Sequence, residues 1–191
     1  MRNIIKRLSV WAVVIALILL IPLVLTLLGS GVDGEGWHWT LFDFVLMGAV
    51  LFGVGLAYEL IARRSEKIMY RAAFGIGLAG AFLLFWVNGA VGIIGDEGQP
   101  ANLLYGAVFA VGFIGSLIVQ FKPRGMAYVL FVAAFAQVLV PAIALLIWPP
   151  QIASWSPGVF GVFVLNTFFV ILFVVSALLF RRVGDTELKR N

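Results

Sequence analysis

Residues 8–28 read LSVWAVVIALILLIPLVLTLL, a run without a single charged side chain. A helix rises 1.5 Å per residue, so a hydrocarbon core of about 30 Å is crossed by about 20 apolar residues. This run is long enough, and the chain contains others like it, which predicts an all-α integral membrane protein. The six predicted spans are residues 8–28, 41–62, 72–94, 102–121, 126–148 and 158–180.

The composition is that of a protein embedded in lipid. Of the 191 residues, 63% are hydrophobic and 12% are charged, and the mean hydropathy is +1.11. In soluble domains about a quarter of the residues are charged. The spans take up most of the chain, so we expect one transmembrane domain over residues 1–191, a six-helix bundle with no soluble domain. The absence of cysteine excludes disulfides and cysteine nucleophiles.

The charged residues predict the orientation, because lysine and arginine near the ends of spans are retained in the cytoplasm. All 13 basic residues fall on one side of the six spans, whereas the opposite loops carry Asp33, Glu35, Asp96 and Glu97. Both termini are therefore expected to be cytoplasmic. The net charge of +4 is divided among short segments between apolar runs, which indicates topology signals and no nucleic-acid partner.

The first span follows a basic segment, as the apolar core of a signal peptide does. It is longer than the roughly 7–15 residues of such a core, and residues 27–30, LLGS, match a small-x-small cleavage site poorly. We expect this span to be retained. Cleavage would leave five spans.

Glycine is abundant, with 21 residues, many of them inside the spans. Helices in lipid associate where small residues allow close backbone approach and where polar side chains bond across the interface. The expected packing residues are Gly53, Gly77, Gly80, Gly112 and Ser116. Residues 75–80 also match the GxGxxG dinucleotide pattern, but they lack the preceding strand that such a site needs. A similarity of residues 46–50 to 104–108 leaves open a duplication of helical hairpins.

Polar residues inside spans are costly in lipid, which makes them candidates for function. Four of them lie in the predicted outer half of their spans, where they could line an outward-opening cavity for a cation or a small polar solute. The candidates are Asp43, Asn88, Gln137 and Asn166. Pro22 and Pro141 are expected to kink their helices and to release the carbonyl four residues earlier. The alternative is that the amides bond neighbouring helices and have only a structural role.

No catalytic residue, metal site or cofactor is expected. The single histidine, His38, has no second histidine and no evident serine partner. Asp33 and Glu35 lack the remaining oxygen ligands of a calcium loop. Glu59 precedes Arg63 by one helical turn, which predicts a structural ion pair.

Residues 90–105, AVGIIGDEGQPANLLY, follow the segments LFDF at 41–44 and YRAA at 70–73. Together these segments resemble a family of small, uncharacterised, polytopic bacterial inner-membrane proteins. The resemblance covers spans two to five and implies a bacterial inner-membrane location, with no activity attached. Within it, residues 100–102, PAN, predict a turn that starts span four with proline in the first helical turn.

The sequence therefore predicts a non-enzymatic, multi-pass membrane protein in a lipid bilayer. Its expected role is that of a structural or accessory component that binds other membrane proteins or forms a homo-oligomer. The alternative is a small transporter or channel. A transporter needs a hydrated path and two accessible states, whereas an accessory component needs a surface complementary to a partner.

Overall fold

Each predicted apolar run forms a helix. The computed structural model describes residues 2–29 and 39–188, so the loop that contains Asp33, Glu35 and His38 lies outside the described residues. The helices are α1 (Arg2–Leu28), α2 (Leu41–Leu60), α3 (Ile68–Ala90), α4 (Tyr105–Ile118), α5 (Pro123–Ile147) and α6 (Val159–Leu188). Short 3-10 turns lie at Ala62–Arg64 and Pro100–Leu104.

Six helices in the described ranges are long and apolar enough to cross a membrane, the fourth by combining the 3-10 turn with α4. The described residues contain no strand. The all-α prediction is thus confirmed, and the chain is compatible with a multi-pass membrane protein. The orientation and the absence of a soluble domain stay predictions.

The chain forms two compact units, Met1–Arg64 and Ser65–Asn191. In the first unit α1 packs on α2. The ring of Trp11 lies directly against Gly55, where a Cβ atom would be 2.8 Å from the Trp11 Cδ2 atom. In the second unit α6 packs on both α3 and α5, and α4 packs on α5.

The ends of α3 and α6 differ from the sequence prediction. Helix α3 ends at Ala90, before the predicted end at residue 94, because the chain turns at Gly92 with a φ of +72°. A Cβ atom at Gly92 would overlap the carbonyl of Asp96. Helix α6 continues to Leu188, beyond residue 180. Its last turns contact the start of α3 through an ion pair of 2.8 Å between Lys67 Nζ and Glu187 Oε1.

Pro22 and Pro141 lie inside the continuous helices α1 and α5, and both are buried. Proline has no amide hydrogen, so the carbonyls of Ile18 and Gln137 lose their helical donors. The kinks themselves stay predictions.

Helices α3 and α6 are in close contact at Gly77. A Cβ atom at Gly77 would lie 2.8 Å from Ser176 Oγ, and this hydroxyl donates a hydrogen bond of 2.6 Å to the Ala73 carbonyl of α3. Gly80, one turn along, would place a Cβ atom 3.2 Å from the Leu172 Cβ atom. In contrast, a Cβ atom at Gly53 or Gly112 meets no atom of the described residues within 4 Å.

We expect Gly77→Ala to lower the free energy of unfolding by about 1–2 kcal/mol. The new methyl group would displace Ser176 Oγ and its hydrogen bond, and overpacking of this kind costs about 1–3 kcal/mol. The gain of alanine over glycine in a helix offsets about 0.5–1 kcal/mol of this loss. Unfolding by SDS in mixed micelles measures the change.

Gly112→Ala is the matched control, because the added methyl group meets open space. It is expected to raise stability by up to about 1 kcal/mol. Equal effects of the two substitutions would contradict a close contact at Gly77.

Candidate functional site

Three polar side chains from three helices meet in the interior of the second unit. Tyr105 of α4, Gln137 of α5 and Asn166 of α6 are all buried, with relative exposures of 0%, 0% and 2%. Asn166 Oδ1 accepts a hydrogen bond of 3.0 Å from the Tyr105 hydroxyl and one of 2.8 Å from Gln137 Nε2. A single acceptor on α6 thus holds donors from α4 and α5. We call these three residues the amide cluster.

The orientation of both amides in the cluster follows from their partners. Asn166 Nδ2 donates a hydrogen bond of 2.8 Å to the Val162 carbonyl, one turn earlier in α6. Its oxygen must therefore face Tyr105 and Gln137, and Gln137 must present its nitrogen. Gln137 Oε1 is then left buried, without a hydrogen-bond partner among the described residues. The backbone carbonyl of the same residue is the one that Pro141 frees.

Asn102 is the most highly bonded side chain near the cluster, three residues before Tyr105. Its Oδ1 atom accepts hydrogen bonds of 3.1 and 3.0 Å from the backbone N–H groups of Ile93 and Ile94. Its Nδ2 atom donates bonds of 3.1 Å to the Ile94 carbonyl and 2.7 Å to the Asp96 carbonyl. One buried side chain therefore satisfies four backbone groups of the loop between α3 and α4.

A second loop packs against this one at the same end of the unit. The Gly95 N–H donates a bond of 3.3 Å to the Ser156 carbonyl, and Gly95 has a φ of +76°. A Cβ atom at Gly95 would lie 2.7 Å from the Ser154 carbonyl oxygen, so the backbones of the two loops are in contact. The buried indole of Trp155 donates a bond of 2.7 Å to the Trp148 carbonyl. Contacts between these two loops therefore hold this end of the α3–α6 unit together.

Of the four predicted cavity residues, the two on α5 and α6 are in contact. Gln137 and Asn166 bond each other directly. Asn88 instead donates a bond of 3.3 Å from its Nδ2 atom to the Asn102 carbonyl, and its Oδ1 atom is buried without a partner among the described residues. Asp43 lies in the first unit, where its Oδ2 atom accepts bonds of 2.7 Å from the backbone N–H and the hydroxyl of Thr40.

Asp43 and Thr40 thus form a capping box at the start of α2.

Of the predicted packing residues, Ser116 bonds within its own helix, where its hydroxyl donates a bond of 2.6 Å to the Gly112 carbonyl. The sequence analysis placed Asn102 in a turn and did not count Tyr105 or Asn102 among the candidate site residues. Both stand in the first turns of a predicted span, where a tyrosine or asparagine is typical of the membrane interface and of turns.

No family model, curated protein or solved structure matches the chain. The resemblance of residues 90–105 to an inner-membrane family stays a prediction.

The chemistry of the amide cluster is that of neutral hydrogen bonding. Its amides neither ionise nor act as nucleophiles, and its phenol donates to Asn166. Among the described residues, no group of three or more His, Cys, Asp or Glu side chains could hold a metal ion. The cluster can therefore fix helices to one another or bind a polar solute.

Proposed function

We propose that this chain is a non-enzymatic accessory component of a bacterial inner membrane, in which the α3–α6 unit is a rigid scaffold and the α1–α2 hairpin binds a partner protein. The observation that carries the proposal is the convergence of Tyr105 and Gln137 on Asn166. These bonds hold α4, α5 and α6 in one arrangement. A transporter has to exchange such contacts during its cycle.

Burial along the helices supports the division of roles. In the apolar windows of α1 and α2, 11% and 6% of the residues are buried, against 28–39% in the other four spans. Hydrophobic side chains along α1 are mostly exposed, among them Leu17 at 58% and Ile21 at 63%. Gly53 is exposed on α2 with open space around it. An exposed glycine lets the backbone of another helix approach closely.

Native mass spectrometry tests this proposal, on the chain extracted gently from the membrane of its own host without overexpression. The expected result is recovery in a stoichiometric complex with other membrane proteins. Recovery of the chain alone, at detergent concentrations that preserve other complexes, would contradict it.

We expect Gly53→Leu to release the chain from that complex. The leucine side chain would fill the space through which a partner helix approaches. Since no described residue lies within 4 Å of a Cβ atom at Gly53, the chain should stay folded, and the free energy of unfolding should be unchanged or rise by up to about 1 kcal/mol. Gly112→Leu, at an equally open glycine of α4, is the control that should keep the complex.

One observation favours a transporter or channel as the second candidate. Gln137 Oε1 has no hydrogen-bond partner among the described residues, and Pro141 removes the helical donor of the Gln137 carbonyl. A solute with N–H or O–H groups, or a cation, could engage these acceptors. The test is flux through proteoliposomes for alkali cations and small polar solutes. Flux abolished by Gln137→Leu and Asn166→Leu in a folded chain would establish this candidate. Unchanged flux in Asn88→Leu and Asn166→Leu would remove it.

A further inference from the structure

A buried carboxylate in the first unit contacts two arginines and an indole. The Glu59 side chain is only 4% exposed, and its Oε2 atom lies 2.9 Å from Arg63 Nε and 3.7 Å from an Arg7 guanidinium nitrogen. Its Oε1 atom accepts a hydrogen bond of 3.2 Å from the Trp11 indole. The predicted Glu59–Arg63 ion pair is confirmed. Arg7 and Trp11 join it from α1.

The charges of this group do not cancel. Two guanidinium groups share one carboxylate, so one positive charge is left over. Each guanidinium carries five N–H donors in a fixed plane, and Glu59 takes only part of them. The Arg7 and Arg63 side chains are 49% and 37% exposed, so both remain accessible from outside the hairpin. A structural ion pair needs one arginine, and the second arginine supplies unneutralised charge.

The two arginines lie where the apolar part of the hairpin ends, which is the depth of lipid headgroups in a membrane. Arg7 immediately precedes the apolar run of α1, and Arg63 follows the last turn of α2, so both lie at the same end of the hairpin. Exposed apolar side chains adjoin them on both helices, with Val10 62% and Leu60 39% exposed. Headgroup phosphates and acyl chains meet at this level of a membrane.

We propose that Arg7 and Arg63 bind the phosphate of one anionic lipid headgroup, with Glu59 as the positioning residue that holds the two guanidinium groups side by side. Guanidinium groups recognise phosphate oxygens through paired N–H bonds, and basic pockets between helices at the cytoplasmic surface bind anionic headgroups. The adjoining apolar side chains favour a lipid over inorganic phosphate, because they contact the acyl chains.

The binding test uses the full chain, purified in a nonionic detergent and titrated with phosphatidylglycerol or with phosphatidylcholine. Bound lipid is counted by native mass spectrometry. Phosphatidylglycerol is expected to bind more tightly. Arg7→Gln and Arg63→Gln should each weaken its binding about fivefold. Arg181→Gln removes the same charge from an exposed position of α6 and should change binding less than twofold.

Glu59→Gln separates a built site from general electrostatic attraction. The substitution raises the net charge by one, so general attraction predicts tighter binding of an anionic lipid. A positioned pair of arginines predicts the opposite, a loss of about fivefold, because the two side chains then have to be ordered on binding. Tighter binding in Glu59→Gln would overturn the proposal.

If the Glu59→Gln chain does not fold, two further binding measurements test the site. Arg63→Lys retains the charge but loses the planar fork, and should weaken phosphatidylglycerol binding severalfold. Equal binding in Arg63→Lys would overturn the positioned site. Full displacement of phosphatidylglycerol by millimolar inorganic phosphate, with no preference over phosphatidylcholine, would overturn the choice of a lipid.

Discussion

Asn102→Leu is expected to lower the free energy of unfolding by about 3–5 kcal/mol, the largest loss from any single side chain of the α3–α6 unit. The substitution removes the partners of two backbone N–H groups and two backbone carbonyls in the loop after α3. Ile93 and Ile94 are fully buried. Each buried group left without a partner costs about 1–3 kcal/mol, and a solvated, rearranged loop recovers part of that sum.

Unfolding by SDS in mixed micelles measures this loss, and two other substitutions define its origin. Gln99→Ala removes one exposed hydrogen bond of 3.5 Å to the Ser154 carbonyl, and should change stability by less than about 0.5 kcal/mol. Asn102→Asp keeps the acceptor for the two N–H groups but turns an oxygen toward the carbonyls of Ile94 and Asp96. A loss below about 1 kcal/mol in Asn102→Leu would mean that other contacts hold the loop.

The helices were predictable because length and polarity decide them. A run of about 20 uncharged residues has to be helical in lipid, since backbone groups find no other partners there. The end of α3 was not predictable, because residues 91–94 are as apolar as the helix before them. The chain turns at Gly92, and Ile93 and Ile94 can stay outside the helix because Asn102, nine and eight residues later, accepts hydrogen bonds from their N–H groups. Periodicity carries no information about such a contact.

The site was predictable in part for a similar reason. Depth along a helix follows from counting residues, and it placed Asn166 and Gln137 among the candidates. The direction in which a side chain faces depends on how the helices are rotated. Asn166 bonds Gln137 across 29 residues and Tyr105 across 61 residues of sequence. The capping role of Asp43 did have a local signal, because Thr40 precedes it by three residues.

Asn166→Leu is expected to lower the free energy of unfolding by about 2–3 kcal/mol. It removes the acceptor that the Tyr105 hydroxyl and Gln137 Nε2 share, and leaves both donors buried. Hydrogen bonds between membrane helices contribute about 0.6 kcal/mol on average and up to about 1.7 kcal/mol. Two lost bonds, and two donors without acceptors, account for the expected size.

Tyr105→Phe supplies the matched comparison, because it deletes one donor without orphaning the acceptor. It should cost about 0.6–1.7 kcal/mol alone, whereas in the Asn166→Leu background it should cost nothing or recover part of the loss, because it removes the orphaned hydroxyl. The coupling in this double-mutant cycle decides what the polar residues do. Strong coupling means that the cluster bonds α4 to α6, as an accessory scaffold requires. Additive losses would mean that Tyr105 and Asn166 act independently, and would leave Asn166 and Gln137 available to a solute.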